Sequence, residues 1–304
     1  MNELLRLHPE VGAALADGRA VVALESTITT HGLPRPDNLE AARMSEAAVR
    51  EAGAVPATVA VHDGHLCVGL TAGELAELAD ARDIPKVSRQ NLAGALNRPG
   101  WGGTTVSATM IAAHLAGIDV FATGGIGGVH RGGESSLDIS ADLGELGRTP
   151  VTVVCAGPKS ILDVGRTLEA LETLGVPVVS LGSDEVAGFY SRSSGHRAPL
   201  RAEDAAEVAR LVATQRALGL RTGVLVTVPL PEDTALPSEE VDAAVEQAEA
   251  EAREAGVHGP ASTPFILGRV AQLTAGRSVA ANLEIIRRDA LTAGRIAVEL
   301  ATLA

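Results

Sequence analysis

An α/β sandwich built on a mixed, largely parallel sheet is the fold this sequence predicts, and three observations carry that expectation. Short β-branched apolar runs alternate with stretches of helical periodicity, the order expected when parallel strands are joined by crossover helices. One Asp-Gly pair between two apolar runs interrupts that alternation with a tight hairpin, which makes the sheet mixed. With 46% hydrophobic and 21% charged residues over 304 positions, the chain can bury a full core. No stretch is rich enough in Pro, Gly or Ser to divide it, so a single domain spanning residues 1–304 is expected.

The elements follow in order. Residues 20–25 (AVVALE) read as the first strand, and 38–52 as a helix bounded by polar Asp37 and Asn38 before it and Gly53 just beyond, the chemistry of an N-cap and a C′ glycine. Residues 57–62 form a strand that turns back through His62-Asp63-Gly64-His65. Further strands are expected at 119–123, 151–156, 176–181 and 223–228, with a helix at 160–174 that ends at Gly175. The very acidic, Ala-rich stretch 238–255 reads as a helix with a solvated face. Residues 278–303 carry a long amphipathic helical pattern, fit to close the core or to pack on another subunit.

Composition narrows the function. A formal net charge of −13 argues against nucleic acid, whose phosphates require a basic footprint. One Trp, one Tyr and three Phe give no stacking platform for exposed bases, although a pocket for one small base remains possible. Cys67 and Cys155 lie in apolar runs (HLCVGL and VTVVCAG) and read as reduced core thiols, without zinc spacing or a disulfide framework. The start MNELLRLHPE is no signal peptide, and no run approaches the roughly twenty apolar residues of a membrane span. A cytoplasmic protein with no membrane or nucleic-acid partner is expected.

The chain has only two lysines, Lys86 and Lys159, against twenty-three arginines. A guanidinium stays protonated, whereas a desolvated ammonium can lose its proton and act as a nucleophile, so both lysines are candidates for amine chemistry. They flank a segment rich in Gly and Thr: GWGGTTVSATM, FATGGIGGVHRGGESSLDISADL and VTVVCAGPKS. Its glycines allow positive φ and close approach of backbone N–H groups to an anion, which suits a phosphate nest. The dinucleotide fingerprint fails, because His130 stands where the third glycine is required. Asp138 and Asp142 are four apart; in a helical turn they would share a face and offer hard oxygen ligands to Mg²⁺ or Mn²⁺, or else one of them caps a helix. His130, beside Arg131, could orient a ligand or contact phosphate. Glu25 ends the strand VVALE, where α/β sheets bind ligands, and Lys159 follows another strand end. An amine and an acid on one edge suit Schiff-base chemistry on a sugar aldehyde, with Lys86 as a point-charge clamp for phosphate.

Taken together, ALESTITTHGLPRP, GAVPATVAVHDG, PKVSRQNL, GGTTVSATM, FATGGIGGVHRGGE, LDISADL and VCAGPKSILD resemble the pseudouridine-5′-phosphate glycosidase family, also known as the indigoidine synthase A-like proteins. The match runs from about Val21 to Gly195 and resumes at AANLEIIRRDALTAGRIAVELA. The resemblance implies a three-layer α/β/α enzyme, typically a homotrimer, that reversibly cleaves the C–C glycosidic bond of pseudouridine 5′-phosphate to uracil and ribose 5-phosphate. It implies Lys159 as the nucleophile that forms a Schiff base with C1′ of the ring-opened ribose, and Glu25 as the proton donor. Lys86, Val106, Ser140, Ala141 and Asp142 resemble substrate-binding positions, with His130, Thr123 and Asn282 as further substrate contacts. Asp138 resembles the ligand of a divalent metal, usually Mn²⁺, alternatively Mg²⁺. The same lysine logic also serves an aldolase-like enzyme acting on another sugar phosphate, and the scaffold could persist as a non-catalytic binding protein.

Overall fold

The computed structural model describes residues 3–33, 35–133, 137–257 and 262–303; Glu134, Ser135 and Ser136 of the Gly-rich segment lie outside them. The strands are β1 (Leu5–Leu7), β2 (Val21–Leu24), β3 (Val55–His62), β4 (His65–Val68), β5 (Lys86–Val87), β6 (Trp101–Thr104), β7 (Val120–Ala122), β8 (Val129–His130), β9 (Thr152–Cys155), β10 (Leu162–Asp163), β11 (Val178–Leu181), β12 (Leu200–Ala202) and β13 (Val224–Thr227). The main sheet runs β1-β4-β3-β2-β7-β9-β13-β11-β12, and β8 and β10 form a separate two-stranded sheet. Every neighbouring pair from β3 to β12 in that order is parallel. The antiparallel part is β3 with β4 and β6, so the sheet is mixed and largely parallel as expected. At the hairpin His62 pairs with His65, and Asp63 (φ 43°) and Gly64 (φ 81°) both take the left-handed conformation that a two-residue type I′ turn demands.

The helices are α1 (Pro9–Ala16), α2 (Asp37–Glu51), α3 (Ala72–Asp80), α4 (Leu92–Leu96), α5 (Val106–Ala116), α6 (Ala141–Leu146), α7 (Val164–Thr173), α8 (Ala205–Ala217), α9 (Ser238–Glu254), α10 (Ser262–Leu273) and α11 (Arg277–Ala301). Successive strand side chains point to opposite faces, and here both faces are covered. Val21, Ala23, Phe121 and Val153 pack with α1, α5, α6 and α7, while Val22, Leu24, Val120 and Val154 pack with α2, α8 and α11. That double burial produces the continuous apolar strand runs and the three layers.

The expected helix at 160–174 starts later, at Val164, because residues before it are spent on a loop and on β10; Asp163 caps it by accepting the N–H of Arg166 at 2.9 Å. The acidic helix has its solvated face, but Val241, Val245, Ala248 and Ala252 bury the other beside α10. Both cysteines are free and buried; burial, and next the charge of Asp289, push the Cys155 thiol up to about 12, which fits an inert core thiol. Among the described residues no helix is long and apolar enough to cross a membrane.

Candidate active site

The chain leaves β2 for β3 on one side and returns to β7 on the other, so a crevice opens between β2 and β7 at their C-terminal ends, the switch point where open α/β sheets bind ligands. Glu25 follows β2, Thr123 follows β7 and Lys159 lies four residues past β9. One edge therefore carries all three.

Glu25 is half-buried and held by two hydroxyls: Thr123 donates to its Oε1 and Thr27 to its Oε2. A small cavity opens beside it, lined by Leu24, Ser45, Thr123, Gly124 and Ile286. A larger one, lined by Asp184, Arg197 and Arg201 at the far end of the sheet, holds none of the site residues. The main chains after β7 and β9 stay bonded beyond the strands. Thr123 N–H donates to Val154 O at 3.0 Å, Ala156 N–H to Gly124 O, Ile126 N–H to Gly157 O and Lys159 N–H to Ile126 O, each at 3.1 Å. This ladder presents half-buried Lys159 to the crevice edge.

Gly157 makes the turn in that ladder at φ 92°, and a Cβ there would sit 2.5 Å from Ala187 O. Gly157→Ala is expected to destabilise the protein by about 1–3 kcal/mol, since it adds both a forbidden φ and a backbone clash. Urea unfolding of the variant checks this; an unchanged midpoint contradicts it.

Lys86 begins β5 and pairs in parallel with Gly103 of β6. Burial holds its ammonium below the ordinary lysine range and the charge of Lys159 adds to that, while Glu25 and Asp142 act the other way. The four groups thus share one field. Beside them Val106 opens α5, and first-turn N–H groups of a helix lack intrahelical acceptors and favour anions. Burial likewise lowers His31, whose Nε2 lies 3.3 Å from Ile84 O, and the charge of Lys86 contributes.

The glycines at 124–128 serve packing, not a nest: none has positive φ. A Cβ on Gly125 would meet the Phe189 ring at 2.6 Å, one on Gly127 Ser140 Oγ at 2.2 Å, and one on Gly128 Thr167 Oγ1 at 2.4 Å.

Asp138 and Asp142 do not share a helical face. Ser140, between them, is the N-cap of α6, accepting Asp142 N–H at 3.2 Å, so Asp138 precedes the helix and is exposed. Asp142 is buried, and both its oxygens accept backbone N–H groups, from Ser107 at 3.1 Å and Gly127 at 2.8 Å. These bonds tie α5 and the Gly127 loop to the start of α6. His130, on β8 opposite Leu162, donates its N–H to Asp138 O at 3.0 Å. Buried Asn282, on α11, reaches the Gly124 turn, where its Oδ1 would lie 3.6 Å from a Cβ. Among the described residues no three His, Cys, Asp or Glu are grouped to hold a metal. A single exposed carboxylate fits only an ion that keeps most of its water ligands.

Two residues near this site escaped the sequence reading. Thr27 stands two past Glu25 in a run of hydroxyls, and its role depends on a partner far along the chain. Asp289 on α11 is 1% exposed and interacts with the Ala156 backbone. It could have been found as an acid on the apolar face that also carries Ile285, Ile286, Ala290 and Ala293.

The family model of indigoidine synthase A-like protein matches residues 10–299. The pseudouridine-5′-phosphate glycosidase of Paracoccus denitrificans (strain Pd 1222) is 54% identical over 99% of this chain and 100% of its own length. That of Nocardioides sp. (strain ATCC BAA-499 / JS614) is 52% identical over 99% of this chain and 98% of its own. Among solved structures, the prealnumycin C-glycosynthase AlnA in complex with ribulose 5-phosphate superposes with a TM-score of 0.92 at 39% identity, covering 100% of this chain and 99% of that one.

Proposed function

The chain belongs to the indigoidine synthase A-like family, and from that premise we propose that it is a pseudouridine-5′-phosphate glycosidase. It would cleave the C–C glycosidic bond reversibly to give uracil and ribose 5-phosphate. The observation that supports this best is the placing of Glu25 and Lys159 on one crevice edge with the Lys86 ammonium within electrostatic reach of both, in a chain 54% identical to a protein of that name.

The chemistry explains the need for an amine. A carbon leaving group offers no heteroatom to protonate, so the two-carboxylate scheme of ordinary glycosidases does not transfer. The Lys159 amine adds to C1′ as the ring C–O bond breaks, and the proton released by the new C1′–N ammonium passes to the ring oxygen, which leaves the lysine nitrogen neutral with a lone pair. Glu25 then gives a proton to the uracil carbon while the C1′–C bond breaks, and the lysine nitrogen lone pair forms the C=N bond. Water hydrolyses that imine and releases ribose 5-phosphate. Lys86 holds the phosphate beside Val106, and Thr123, Asn282 and His130 contact the substrate. Asp138 would hold a divalent ion, Mn²⁺ or Mg²⁺, at the outer loop; when bound, the ion would order water and substrate there. We propose the cytoplasm as its location and a homotrimer as its assembly.

A second reading is favoured by the likeness to AlnA, a C-glycosynthase bound to ribulose 5-phosphate: the same amine chemistry serving another sugar phosphate or another carbon partner. One assay separates them. Incubation with uracil, ribose 5-phosphate and Mn²⁺ is expected to yield pseudouridine 5′-phosphate by mass spectrometry, and the same incubation with ribulose 5-phosphate is expected to yield no uracil adduct. Product only with the second sugar would replace the first reading.

A further inference from the structure

We infer that Thr27 is the positioning residue that keeps Glu25 in one place through both its acid and its base forms. The inference rests on the reading of Glu25 as the proton donor. A threonine hydroxyl has one hydrogen to donate and two lone pairs with which to accept. Thr27 Oγ1 is within hydrogen-bond reach of two acceptors, Glu25 Oε2 and, at 2.9 Å, the carbonyl of Thr104. Its one hydrogen can serve only one of them at a time.

Both protonation states of Glu25 nevertheless leave every one of these atoms satisfied. With the carboxylate ionised, Thr27 donates to Oε2, and Thr104 O keeps the N–H of Ser26 at 3.3 Å. With the acid protonated on Oε2, that O–H donates to Thr27 Oγ1, whose own hydrogen turns to Thr104 O. Thr123 donates to Oε1 in either case. When the Oε2–H turns from Thr27 to the uracil carbon and its proton is given up, the Thr27 hydrogen swings back from Thr104 O to Oε2 and one proton has left the carboxyl. Only hydrogens move. A site that needs no heavy-atom rearrangement at the moment of proton transfer is preorganised in the sense that lowers barriers. Burial of Thr27 keeps water from substituting for the hydroxyl, and its β-branch restricts the rotamer. Thr104 is itself anchored, through its Oγ1 to Val59 O at 2.7 Å and its N–H to Ser26 Oγ at 2.9 Å, so the second acceptor is fixed.

The test compares Thr27→Val, nearly the same shape without the hydroxyl, with Thr27→Ser and Glu25→Gln. Three measurements are made: pseudouridine 5′-phosphate cleavage, borohydride trapping of ribose 5-phosphate, and thermal unfolding. Thr27→Val is expected to lower kcat by roughly 10–100-fold, to change KM less than about threefold and to retain trapping on Lys159, while Thr27→Ser regains most of the lost rate. Three outcomes overturn the inference: Thr27→Val at the parent kcat while Glu25→Gln is inactive; equal losses in the valine and serine variants; or trapping lost together with turnover, which marks damage to the fold. Glu25→Gln at the parent kcat would instead remove the proton-donor reading on which the inference stands.

Discussion

Lys159→Arg is expected to lose at least about a thousandfold in kcat, the scale of removing a covalent nucleophile, whereas Lys86→Arg keeps a measurable fraction. The two substitutions make the same chemical change in different places. A guanidinium preserves positive charge but has no amine that can add to C1′ at any working pH. At Lys159, held to the crevice edge by the bond from its own N–H to Ile126 O at 3.1 Å, the amine would itself form the covalent bond on the proposed mechanism. At Lys86, fixed by pairing of β5 with Gly103, the proposed role needs only the charge, so the loss should fall mainly on KM. Borohydride trapping of ribose 5-phosphate sharpens the contrast: the adduct should form on Lys159 in the Lys86→Arg protein and be absent in Lys159→Arg. Burial and the neighbouring Lys159 already hold the Lys86 ammonium below its usual range, which gives the opposite division real physical content. Equal losses in kcat, or an adduct on Lys86, would reverse the assignment.

The parts that were legible in the sequence share a local cause. Strands β2, β7, β9 and β13 are buried on both faces, so each writes a continuous apolar run, and a polar residue at its end marks the crevice edge. Glu25 and Lys159 were found that way. The short strands β5 and β6 were not, because KV and WGGT carry no alternation; β6 owes its place to pairing with β3, and β5 to pairing with β6. The carboxylate pair failed for a related reason. Spacing of four means a shared face only inside a helix, and the cap at Ser140 puts the boundary between Asp138 and Asp142. Glycines 124–128 suggested left-handed backbone, yet their need is for contact with Phe189, Ser140 and Thr167, residues scattered along the chain. Thr27 depends on Thr104, 77 residues away, a distance over which no local pattern speaks.

Asp289→Asn is expected to stabilise the protein progressively as pH rises. Neither carboxyl oxygen of Asp289 has a hydrogen-bond partner among the described residues, since the nearby Ala156 N–H donates to Gly124 O at 3.1 Å. Burial raises this carboxyl well above the ordinary aspartate range; the charge of Arg288 and the Ala156 amide oppose that rise without cancelling it. The native state therefore holds a proton that the unfolded chain releases near pH 4. Below that pH both states are protonated and the contribution to stability is fully present. As pH climbs toward the native value, the unfolded chain gains by ionising while the native chain does not. Stability then falls by up to about 1.4 kcal/mol per pH unit, and the loss is complete once the native group ionises too. An asparagine amide has no such equilibrium. Its own unpaired atoms add a cost, but one that does not vary with pH, so the diagnostic is the slope rather than the offset. Urea unfolding of parent and variant at intervals from pH 4 to pH 8 should show curves that diverge as pH rises above the unfolded carboxyl's range, the variant gaining relative to the parent until the native group ionises. Parallel curves would mean that Asp289 is ionised in the native protein, with Arg288 as its effective counter-charge.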